Sequence, residues 1–126
     1  MNLLKTLIIG FGLSLMSLSA MAHHSTNGIY NEEVEVTLTG TVKQWRFINP
    51  HPSLILDVVG EDGNVHSWDI SYGGSAVAHL TRRGYKADSF KAGDKITVKG
   101  FAAKLDNAYG LLIRGNPTRE DGSELP

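Results

Sequence analysis

Val34-Glu35-Val36-Thr37-Leu38-Thr39-Gly40-Thr41-Val42-Lys43 alternates without a break. Val34, Val36, Leu38, Gly40 and Val42 share one side, and Glu35, Thr37, Thr39, Thr41 and Lys43 the other. Period two sustained over that length is a half-buried strand. Gly40 in its middle predicts a bend or bulge, the device by which a long strand serves two sheets and turns the corner of a small barrel. Trp45, Phe47 and Ile48 close the strand before Asn49-Pro50-His51-Pro52, a segment that two prolines hold extended or turned.

Downstream, Ser53 to Val59 reads as a second strand with Leu54, Leu56 and Val58 on one face, and Glu61-Asp62-Gly63-Asn64 has the composition of a hairpin turn. Val65 to Ser71 returns as a third strand, on which His66, Trp68 and Ile70 share a face and Ser67 and Asp69 take the other. Tyr72-Gly73-Gly74 breaks the sheet, and Ser75 is placed to cap a short helix from Ala76 to about Arg83 that Gly84 stops. Val77, Leu80 and Thr81 would face the core, and Phe90 adds to it. Ala92-Gly93-Asp94 turns into a fourth strand carrying Ile96, Val98 and Gly100; after a loop at Asp106-Asn107, Tyr109 to Arg114 makes a fifth. This order predicts a mostly β fold, a small OB-like five-stranded Greek-key barrel with one short helix between strands three and four. The competing arrangement is an open α+β sandwich built from the same elements.

Upstream, Met1 to Ala22 has the three parts of a secretory signal: Lys5 near the start, an apolar run from Leu7 to Leu18, and Ala20 and Ala22 in an A-x-A arrangement. The run is too short to span a bilayer comfortably, a task that takes about 20 residues. Residues 1–22 are therefore expected to be removed, leaving a periplasmic or secreted chain with no membrane span. Residues 23–33 then form a polar N-terminal arm, 34–115 the barrel domain and 116–126 a flexible C-terminal tail. There is no cysteine, hence no disulfide and no thiolate metal site. Twelve Lys and Arg stand against 13 Asp and Glu, a net charge of −1, and loss of Lys5 takes the mature chain one unit further. Nucleic acid is disfavoured as a partner, because phosphate neutralisation supplies most of the affinity in such complexes.

Cleavage after Ala22 makes His23 the first residue. A free α-amino group and the Nδ1 of the same histidine can chelate one metal ion, since the amine, with a pKa of about 8, loses its proton on binding. A further nitrogen from the folded body would complete a site suited to Cu(II), which heads the affinity order for nitrogen ligands. His51, between Pro50 and Pro52, is the first candidate and His24 the second; zinc is the alternative metal. Against this stand a solvated arm whose histidines do nothing, and a turn in which His51 bonds a backbone carbonyl. The rival function is a metal-free module that binds another envelope protein or a small ligand on a barrel face, with Trp45, Phe47, Trp68 and Tyr72 as the available aromatic surface; core packing is the default for the two tryptophans. A copper-dependent oxidase using a histidine brace is a third idea, with no substrate groove legible. No catalytic constellation emerges: Gly73-Gly74 lacks the spacing and lysine of a phosphate loop, Ser25, Ser75 and Asp69 lack a nucleophile elbow, and Asp57 and Asp69 read as solvated strand positions. His66 reads as a core-side histidine near Trp68, and His79 as an exposed helix residue.

His23-His24-Ser25, Leu38-Thr39-Gly40-Thr41-Val42, Asn49-Pro50-His51, Gly73-Gly74-Ser75, Arg82-Arg83-Gly84-Tyr85 and Asp88-Ser89-Phe90-Lys91-Ala92-Gly93-Asp94, in that order, resemble a family of short exported bacterial proteins of unknown function. The chain departs at Tyr85, where tryptophan is expected, and at Ala76, where proline is common. The resemblance implies export and a small β-barrel, and brings no activity or ligand.

Overall fold

The computed structural model describes Thr26 and residues 28–126. Among the described residues six strands form one sheet: β1 (Tyr30–Arg46), β2 (Ser53–Val59), β3 (Val65–Ser71), β4 (Lys95–Ala103), β5 (Gly110–Ile113) and β6 (Thr118–Arg119), with one short helix, α1 (Val77–Arg82), between β3 and β4. The first half of β1 pairs with β4, Glu35 to Phe101 through Thr41 to Lys95. Its second half pairs with β2, Thr41 to Asp57 through Arg46 to Ser53. β2 and β3 form an antiparallel hairpin, β3 runs parallel to β5, and β5 is antiparallel to β4, so five strands close into the OB-like barrel that the alternating stretch predicts.

Val42, Leu54, Leu56, Ile70, Ile96, Val98 and Leu111 fill the barrel. The corner of β1 is made differently from the expected bend at Gly40. The register slips between Val42 and Gln44, which leaves Lys43 as the extra residue. Gly40 serves close approach instead. A Cβ there would run into the Asp57 carbonyl and lie 2.9 Å from Val58 Cγ2, so β2 can cross β1 only over a glycine. A second slip between Tyr30 and Glu35 pushes Asn31 to Val34 out of the ladder. The strand therefore takes in the last residues of the expected arm.

One end of the barrel is sealed. Leu80 of α1, Tyr85 and Phe90 are buried, and Trp45 gathers Phe47, Tyr72, Tyr85 and Phe90 at ring separations of 5.0–6.1 Å, its indole N–H donating to the Lys86 carbonyl at 2.8 Å. Burial pushes the Tyr72 and Tyr85 hydroxyls above their ordinary range. Ser75 does not cap α1. Asn49 does, its Oδ1 accepting the Val77 N–H at 3.1 Å from across the sheet. Thr81, expected in the core, is exposed and bonds the Val77 carbonyl.

The segment 116–126, expected to be a flexible tail, lies on the barrel. Thr118 and Arg119 pair with Thr97 and Ile96, Leu125 is 2% exposed, and its N–H donates to the Pro117 carbonyl at 2.8 Å. The polar composition of the tail hid two apolar anchors, Pro117 and Leu125. Among the described residues no helix is long and apolar enough to cross a membrane.

Candidate functional site

β1 leaves β2 at Thr41 to follow β4, whereas β2 runs on to Val59 and turns back. The two strands therefore diverge, at the end of the β2–β3 ladder away from α1. The divergence opens a notch of about 680 Å³, walled on one side by Thr37, Leu38 and Thr39 and on the other by Val58, the hairpin, His66, Trp68 and Tyr109. Leu38, Val58, His66 and Trp68 occupy inward positions of their strands, by the same alternation that puts Leu54, Leu56 and Ile70 in the core.

The ring wall is built from local contacts. His66 stacks on Tyr109 with centroids 4.3 Å apart and planes at 17°, and Trp68 meets the same tyrosine edge-on at 5.5 Å. Tyr109 is brought there by the start of β5, where its carbonyl accepts the Asp69 N–H at 2.9 Å. The hairpin fixes His66 in turn. Asp62 accepts the Asn64 N–H at 2.9 Å and the Asn64 side-chain amide at 3.0 Å, and its carboxylate oxygens lie 3.0 and 3.1 Å from His66 Nε2. The Asn64 side-chain and backbone bonds, followed by the bond to His66, hold the Asp62 carboxyl at about 2, below the usual carboxylate range. Gly60 leaves the space: a Cβ there would stand 2.7 Å from Asp62 Oδ1 and 2.8 Å from His66 Cδ2.

The backbone of both walls faces the notch beyond the last pair of the β1–β2 ladder, Thr41 with Asp57. Val42 donates to Asp94 O and accepts from Gly93 N, each at 2.8 Å, so its backbone groups point toward β4. Period two carries that direction to Gly40, Leu38 and Val36 and turns Thr37 and Thr39 the other way. Two contacts agree. Lys99, opposite Thr37, gives its carbonyl to Arg114 N on the β5 side, and the Thr39 and Thr97 hydroxyls meet at 2.8 Å, as in a pair that exchanges no backbone bonds. On β2, Gly60 N bonds Asn64 O, which places the β3-facing groups on Gly60 and Val58 and leaves Val59 facing β1.

The other candidates fall elsewhere. His23 and His24 lie outside the described residues. His51 is exposed in the β1–β2 connection, at the α1 end of the barrel. The described chain begins at Thr26, whose carbonyl accepts the N–H groups of Ile29 and Tyr30 at the other end of the 17-residue β1. Among the described residues no three His, Cys, Asp or Glu side chains gather as a metal site. Asp57 and Asp69, on the outer face, pair with Lys43 at 3.8 Å and Arg46 at 3.7 Å. His79 is exposed on α1. His66 shares the inner face with Trp68 as expected but stacks on Tyr109, a residue that strand alternation gave no reason to single out. The Asp62-x-Asn64-x-His66 spacing around a tight turn was the signal for the pinned ring.

No curated protein matches the chain. The model of a family of unknown function matches residues 12–114, which takes in the barrel, the hairpin and the notch. The chain belongs to that family, DUF6152.

Proposed function

We propose that the protein is an exported binding module of the cell envelope whose recognition surface is the notch between β1 and the β2–β3 hairpin. The observation that carries this reading is a ring wall that is held in place and half open at once: Tyr109 is gripped between His66 and Trp68, His66 is tied to Asp62, and all three rings keep exposed surface. Binding sites are typically concave and largely apolar with a few placed polar groups, and Leu38, Val58, Trp68 and Tyr109 with His66 and Asp62 have that make-up. Stacking on fixed aromatic faces would supply affinity, and the Asp62–His66 pair orientation. Export rests on the leader from Met1 to Ala22.

The test is a screen of flat aromatic small molecules by ¹⁵N–¹H correlation spectra. Shifts confined to residues 37–39, 58–66 and 109, and lost in Trp68→Ala, support the reading. Shifts scattered over the surface, or centred on the Trp45 cluster, sink it.

A second reading is carried by the histidine at the predicted mature first position. There His23, through its amine and Nδ1, with His24 assisting, would hold copper, or zinc in its place. From Thr26 back to His23 is three residues, about 10 Å at full extension, and His51 follows the far end of β1, so the arm is the centre of this site. Calorimetric titration with Cu(II) and Zn(II) of protein shown by mass to begin at His23, beside a form with one extra residue in front, decides it. Tight one-to-one binding only without the extra residue supports the site, and His51→Ala shows whether His51 joins it; equal weak binding by both forms removes it.

A further inference from the structure

We infer that the notch is a strand-addition site, which takes an extended peptide of a partner protein with apolar side chains turned inward and Lys or Arg turned outward. The inference rests on the notch being the recognition surface and names its ligand class. Thr37 and Thr39 on one wall and Val59 on the other direct backbone N–H and C=O groups at each other across the gap, beyond Thr41 and Asp57, the last pair of the β1–β2 ladder. A strand edge of this kind is a template for another chain, and main-chain bonds to it give affinity independent of sequence.

Side-chain chemistry fixes what the peptide carries. Its alternate residues would point down at Leu38, Trp68 and Tyr109, an apolar and aromatic floor that suits aliphatic or aromatic groups. The intervening residues would point out, where Glu61 and Asp62 of the hairpin form an acidic rim; Glu35, on the outward face of β1, is already paired with Arg114 at 3.8 Å. Asp62 is held ionised at all ordinary pH by its bonds to Asn64 and His66. A rim of that sign favours Lys or Arg and disfavours an acidic peptide.

The probe is a library of random dodecapeptides displayed on phage, panned against the mature protein, with the recovered sequence then made synthetically. Alternating apolar and basic residues are expected. Two variants remove edge bonds without touching the ring wall: Thr37→Pro, whose lost N–H faces the notch and not β4, and the same peptide N-methylated at alternate residues, which leaves the protein unchanged. Each is expected to weaken binding about tenfold, the worth of roughly one hydrogen bond. Peptides that bind equally well in both cases, or no recovered peptide, overturn strand addition. If the aromatic small molecules still shift the notch, the recognition surface stands and only the peptide class falls; if they do not, both fall. A dimer in sedimentation that Thr37→Pro dissociates would make a second copy the occupant and also overturn the proposal.

Discussion

Trp45 on β1 and Trp68 on β3, the two strands that flank β2, are treated in opposite ways. Trp45 has four aromatic neighbours and a hydrogen bond to the Lys86 carbonyl, under a helix that Asn49 caps. Trp68 has one aromatic neighbour, Tyr109, and no hydrogen bond to its indole among the described residues. The α1 end spends its rings on closing the core. The notch holds its rings in fixed positions without covering them. A half-open, pinned aromatic surface is what recognition requires and what stability alone does not, because a freely repacking core would bury it.

The comparison predicts unequal effects. Tyr85→Ala, at a side chain with no exposed surface, should destabilise the protein by about 4 kcal/mol, read by urea unfolding. Trp68→Ala should cost about 1 kcal/mol while removing notch binding; a cost equal to that at Tyr85 would make the notch part of the structural core. Asn49→Ala should cost about 1 kcal/mol through loss of the helix cap, with Ser75→Ala near neutral. The reverse order would return the cap to Ser75. Smallest is an acid effect on the hairpin. Because Asp62 is held at about 2, below its ordinary value near 4, its contribution is present above the ordinary value and lost as pH falls toward 2. Exchange of the Asn64 amide should therefore rise, relative to the intrinsic rate, over that interval, and in Asp62→Asn the pH step should disappear.

The barrel was legible because burial on one face imposes period two, and the run from Val34 to Lys43 carries it unbroken. The strand order, the hairpin and the place of the helix follow from the same rule and from the turn residues. What the alternation does not contain is which strand a given residue meets. Asn49 caps α1 from 28 positions away, and Tyr109 reaches His66 through a parallel β3–β5 pairing that no local pattern announces. The notch was invisible for the same reason: it exists because β1 exchanges one partner for another at Thr41. Gly40 was readable as special, but its task, letting Asp57 and Val58 cross closely, depends on the register of β2. The tail misled because two apolar residues, Pro117 and Leu125, anchor a segment whose remaining composition is that of a loop.

Residue-resolved amide hydrogen exchange along the first half of β1 tests the central claim most directly. Val36, Leu38 and Gly40 bond β4, whereas Thr37 and Thr39 face the notch, so protection should alternate: slow exchange at 36, 38 and 40, fast at 37 and 39. Adding a bound peptide should slow the two threonines alone. Uniform protection from Val36 to Gly40 in the free protein would mean that the edge is already paired, and the notch would not be the recognition surface described.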